Sequence, residues 1–136
     1  SLWLLPLTFV SAMAAGGALG MGGMSLPFIE PVVLASVLAL GAMVAMSARL
    51  PLAASAAIVG VSAFFHGQAH GGEMPAGALG FEYALGFILA TALLHAAGIG
   101  AAMSVARLVG KYGRPVAQLA GGIFALGGLG VLAAWL

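Results

Sequence analysis

Apolar residues run along this chain in long blocks, and the polar residues gather in short clusters between them. The blocks cover about 2–24, 27–48, 51–70, 78–106 and 114–136. A bilayer-spanning helix needs about 20 mostly apolar residues, within a range of about 17–25. Each block is therefore predicted as a transmembrane helix, the fourth long enough to tilt or protrude. Pro27, Pro51 and Pro115 stand near the starts of the second, third and fifth blocks. A first-turn proline costs a helix little, because its missing N–H has no partner there anyway. Alternation of period two is absent, so a β-barrel is not expected. With no long linker, low-complexity tail or internal repeat, residues 1–136 read as one transmembrane domain. The fold class is all-α: a polytopic integral membrane helical bundle of about five helices.

Composition agrees. Of 136 residues, 63% are hydrophobic and 5% charged. A soluble domain carries about a quarter charged residues, so this surface is built for lipid. The 22 glycines fit, since glycine lets membrane helices approach closely. Gly16-x3-Gly20 in the first helix and Gly121-x3-Ala125 in the last read as such packing motifs, and the glycine-rich faces leave room for a homo-oligomer. The chain has no cysteine, which excludes disulfides and thiolate metal sites. A net charge of +1 gives no reason to expect nucleic acid.

The few charges set an orientation. Arg49 lies between the second and third helices; Arg107, Lys111 and Arg114 surround the connection of the fourth and fifth. All four cations fall on one side, which the positive-inside rule makes cytoplasmic. Glu30 and Glu73 fall on the other, periplasmic side of what reads as a bacterial inner membrane. The start Ser1-Leu2-Trp3-Leu4-Leu5 has no Met and no basic region. It reads as a fragment or processed product with something upstream, and a sixth helix there would place the N-terminus outside.

Two of the three histidines and one of the three acids lie within eight residues, His66 to Glu73. Ionisable groups at membrane depth are expensive, so clustering them calls for a function. Positions 66, 70 and 73 are related by i, i+4 and i+7 and share a helix face. Two imidazoles and a carboxylate there suit a borderline ion such as nickel, cobalt, zinc or manganese. The competing account is a pair of interfacial histidines bonded to water or backbone. Glu82, one turn inside the fourth helix, is placed to complete the site. His95, 13 residues on and so about 20 Å away by helical rise, suits a second site or proton relay, or a buried histidine bonded to a neighbouring helix, with Thr91 on its own face. Glu30 beside Pro31 reads as a solvated acid, and the seven scattered methionines, among them Met13, as core filling. No phosphate-binding Gly-x4-Gly-Lys-Ser/Thr loop is present, so this chain does not hydrolyse ATP. No Gly-x-Ser-x-Gly elbow is present either.

The run Phe65-His66-Gly67-Gln68-Ala69-His70-Gly71-Gly72-Glu73 matches Phe-His-Gly-x-Ala-His-Gly-x-Glu. It resembles the signature of the HupE/UreJ family of bacterial nickel/cobalt permeases, associated with hydrogenase and urease maturation. Leu4-Leu5-Pro6-Leu7-Thr8-Phe9 and His95-Ala96-Ala97-Gly98 are similar to that family as well. The resemblance implies six helices, and that His66, His70 and Glu73 bind the ion during uptake. A further family signature, His-x5-Asp-His, is absent, for the chain has no Asp; the resemblance places its helix just upstream of Ser1.

The expected function is thus an ATP-independent inner-membrane permease, not an enzyme. Ni2+ or Co2+ is its transported ion, lipid its surroundings, and no organic cofactor is needed. Two rivals are an intramembrane zinc hydrolase using the same His/Glu cluster and a non-catalytic membrane partner subunit.

Overall fold

The computed structural model describes residues 3–136, and in it every apolar block is a helix. The five are α1 (Leu4–Met21), α2 (Ile29–Ala45), α3 (Leu52–Gly72), α4 (Gly80–Val109) and α5 (Gly113–Trp135). The expected start of the first helix at residue 2 lies outside the described residues. Helices α1 and α3 and the helical run Gly80–Trp135 are long and apolar enough to cross a membrane. The 17 residues of α2 sit at the short end of the spanning range. That run of 56 residues would measure about 84 Å as one straight helix, far more than a bilayer. It is interrupted by a short 3-10 turn at Gly110–Tyr112, where Gly110 has φ +50°. Only glycine takes that left-handed conformation without steric cost. Few large apolar side chains are shielded; Phe81 and Leu108 are 78% and 85% exposed. Such a surface is stable against lipid tails and not against water.

Backbone contacts divide the chain into two compact units. One holds residues 1–30 and 50–97, the other 31–49 and 98–136.

In the first unit α1 and α3 meet backbone to backbone. The seam is lined by Gly16 and Gly20 of α1 and by Gly67 and Gly71 of α3. A Cβ on Gly67 would overlap the Met13 carbonyl, one on Gly71 the Gly17 carbonyl, and one on Gly16 the Phe64 carbonyl. Gly16-x3-Gly20 is therefore a packing motif, as its spacing predicts, and Gly67 and Gly71, two of the three glycines of the polar motif, are its other half.

Helix α1 ends in a paired reverse turn. Gly23, at φ +79°, lets Met24 N–H reach Leu19 O at 3.2 Å and Gly23 N–H reach Gly20 O at 3.1 Å. These two bonds cap carbonyls that the helix leaves open. The free Met24 carbonyl accepts a hydrogen bond from Gln68 Nε2 of α3. Gln68 is 1% exposed, and its Oε1 has no hydrogen-bond partner in the protein.

The second unit repeats the device. Ala48 N–H bonds Met43 O at 2.9 Å and Ser47 N–H bonds Val44 O at 3.0 Å, with Ser47 at φ +50° where glycine is usual. Gln118 Nε2 of α5 donates to Ala45 O at 3.0 Å, and Arg114 Nε donates to Ser47 Oγ at 3.2 Å. A Cβ on Gly121 would lie 2.6 Å from Ala45 N, and one on Gly41 2.8 Å from Ala125 N. Gly121-x3-Ala125 is thus the second close crossing.

Candidate metal site

The polar motif occupies the last two turns of α3. Gly67 and Gly71 are turned onto α1, so His66 and His70, one residue and about 100° away on the helix, stand beside the seam. His66 is half-buried, and its Nδ1–H donates to Ser62 O at 3.0 Å. A carbonyl can only accept, so Nδ1 carries a proton, and Nε2 is the nitrogen left for a ligand in the neutral ring. Metal-binding imidazoles are oriented in this way, with one nitrogen tied to a backbone carbonyl.

His70 is about half exposed, with Nδ1 3.8 Å from Glu73 Oε2. Helix α3 stops at Gly72, and the Glu73 N–H turns back to His70 O at 3.2 Å. That reversal returns the carboxylate over the last turn. A separation of 3.8 Å is too long for a hydrogen bond. Two donors each about 2 Å from one ion in tetrahedral or cis-octahedral geometry lie about 3 Å apart, so the pair would have to close further to share an ion.

Helix α4 closes the other side of His70. Tyr83 Oη donates to His70 O at 2.7 Å, and the Phe87 ring centroid lies 5.4 Å from that of His70. The same face of α4 continues through Ala90, Thr91, Leu94 and His95 at helical spacing. With Phe9 and Met13 of α1, these residues, Phe87 and His70 line a pocket of about 330 Å³. His95 is half-buried; its Nδ1–H donates to Thr91 O at 2.9 Å and its ring lies 4.5 Å from that of Phe9. The bond to Thr91 runs within α4 and not to a neighbouring helix as the buried-histidine reading expected, and it leaves Nε2 open. Thr91 Oγ1 donates to Met13 Sδ at 3.7 Å.

The sequence candidates are not all drawn together. Among the described residues no three His, Asp or Glu side chains lie close enough to hold one ion. His70 and Glu73 form a pair, while the His66 ring is tied back to Ser62. Glu82 is exposed in the first turn of α4, where a carboxylate suits the positive end of the helix, and it does not line the pocket. Glu30 holds the same position in α2 and is exposed. Sequence reasoning missed Tyr83 and Phe87, which fasten α4 to His70; Met13, read as core filling, is buried in the core as expected and also lines the pocket. The signal was available: 83, 87, 91 and 95 are one stripe of α4, with 9 and 13 a matching stripe of α1.

The fold and site together give a set of long apolar helices with a His/Glu pair at one helix end and a pocket beside it, the character of a membrane protein. Residues 1–131 match the family described as HupE / UreJ protein. The chain is 41% identical over 132 residues to Protein HupE of Rhizobium leguminosarum bv. viciae, covering 97% of this chain and 68% of that protein. No solved structure matches it. The chain belongs to the HupE/UreJ family, which is linked to hydrogenase and urease accessory roles and associated with nickel and cobalt handling. The family is not enzymatic, which sets aside the intramembrane zinc hydrolase.

Proposed function

We propose that this protein is an ATP-independent permease of the bacterial inner membrane that takes up nickel or cobalt for hydrogenase or urease maturation. The observation that carries this reading is the end of α3. There Glu73 folds back to within 3.8 Å of His70, and His66, one turn earlier, keeps Nε2 open. His70 and Glu73 capture the hydrated ion from the periplasm, and His66 joins when its ring swings from Ser62. Imidazole and carboxylate hold a borderline divalent ion without thiolate, weakly enough for it to leave. Glu82 and His95 are the lesser candidates, Glu82 as an acid near the mouth and His95 further in.

All five helices cross the bilayer in this reading, with Arg49, Arg107, Lys111 and Arg114 cytoplasmic and Glu73 periplasmic. The bond between Arg114 and Ser47 supports it, because it joins two basic connections at one end of their unit. Lipid and the ion are the partners. A second copy of the chain would dock on glycines beside open space, such as Gly86 or Gly122.

The test is uptake of radioactive nickel or cobalt at trace concentration by cells making the protein. His70→Ala and Glu73→Gln are each expected to lower uptake at least about tenfold, as loss of a ligand does. Undiminished uptake by His70→Ala, with the protein verified in the membrane, would overturn the reading.

A further inference from the structure

The pocket beneath His70 has two ends. His70 lies against Phe87 and His95 lies against Phe9. From Phe87 to His95 is eight residues of α4, about 12 Å by helical rise. One imidazole therefore stands at each end of a pocket of about 330 Å³ that is open along one side, where Leu94 is 73% exposed; this open-sided chamber lies between α1 and α4. The walls between are apolar except for the Thr91 hydroxyl and the Met13 sulphur, which bond one another. A liquid water takes about 30 Å³, so the chamber has room for an ion with part of its water shell.

From this arrangement we infer that the chamber is a second station on the ion's path. An ion leaving His70 is taken up by His95 Nε2 with Met13 Sδ beside it, water completing the shell. The inference rests on the permease reading above and adds to it a site with a different donor set. His95 Nδ1 is committed to the Thr91 carbonyl, so Nε2 is the nitrogen left for a ligand. The Thr91 hydroxyl holds the one thioether of the chamber in place, and Met13 is 6% exposed. Capture at the mouth uses nitrogen and oxygen; the station below uses nitrogen and sulphur, which are softer donors. One imidazole and one thioether bind a divalent ion loosely, which suits a place of passage.

Softness gives the test. Cadmium, a softer ion than nickel, should lodge in the chamber and block nickel uptake. His95→Gln keeps a side chain able to donate to the Thr91 carbonyl and removes the imidazole. Met13→Leu keeps the volume and removes the sulphur. Each is compared with the parent protein and His70→Ala in cells, at matched amounts in the membrane. His95→Gln is expected to lower the maximal nickel uptake rate at least about tenfold, with half-saturating nickel within about twofold of the parent. Met13→Leu is expected to raise the cadmium concentration needed for half-block about tenfold, the effect of one lost donor. A side chain that merely fills space would not change the order of metal preference. Parent-like uptake by His95→Gln, or parent-like cadmium block in Met13→Leu, would overturn the second station. If His70→Ala still abolishes uptake in that case, the permease reading stands without it. If His70→Ala has no effect, both fall.

Discussion

Gly71 and Gly72 are neighbours in the polar motif with opposite surroundings. A Cβ on Gly71 would run into the Gly17 carbonyl of α1, with Gly17 Cα and C both at 3.0 Å; a Cβ on Gly72 would meet nothing within 4 Å. Ordinary carbon contacts lie at about 3.5–4.0 Å. Alanine at 71 must therefore push α3 and α1 apart by roughly 1 Å, and a gap of about 0.5–1 Å already forfeits a quarter to a half of each contact's dispersion energy. Because that loss extends along the seam, Gly71→Ala should cost about 1–3 kcal/mol, the range for overpacking. Gly72→Ala should be neutral or gain up to about 1 kcal/mol, the helix preference of alanine over glycine. The assay is the thermal midpoint of the purified protein in one detergent, read by loss of monodispersity. Equal midpoints for the two variants would refute the close seam, as would a Gly71→Ala protein no less stable than the parent.

Three further outcomes follow from the same geometry. Gly121→Ala should lower the midpoint in the same assay by the equivalent of about 1–3 kcal/mol, while Gly122→Ala, beside open space, should leave it unchanged or raise it by the equivalent of up to about 1 kcal/mol. Gln68→Glu should cost at least about 2 kcal/mol, since it sets a buried carboxyl against the Met24 carbonyl. Gln68→Leu should cost less, because it removes the unpartnered Oε1 together with the donor, so the order of the two midpoints is the measurement. Ser47→Gly should raise stability by up to about 1 kcal/mol through relief of the left-handed backbone, visible as a higher midpoint despite the lost bond from Arg114.

Helix positions were legible because apolar blocks in a lipid-soluble chain have one way to satisfy their backbone. The observed bounds fall within three residues of those read from the blocks. Gly16-x3-Gly20 and Gly121-x3-Ala125 were legible for a like reason: small residues four apart on an apolar helix have little use except close approach. The site was legible in part. Spacing along α3 identified His66, His70 and Glu73 as neighbours, but rotamers decide whether neighbours converge, and the His66 ring prefers the Ser62 carbonyl. Met13, Tyr83 and Phe87 lie on other helices, and a single sequence does not say which stripe of α4 meets α3. Gly67 and Gly71 were read as part of a signature. Their role became visible only against α1, where there is no space for a side chain.

The seam between α1 and α3 also decides which wall of the chamber can give way. These two helices touch through backbone, with Gln68 clasping the end of α1, so sliding either one breaks many contacts at once. Helix α4 is held to them by the tips of side chains: the Tyr83 hydroxyl, the Phe87 and His95 rings, and the Thr91 hydroxyl on a sulphur. Such tips follow a shift by changing rotamer. In the permease reading proposed above, the α1–α3 pair would be the frame and α4 the door, with the Tyr83 bond to His70 as its latch.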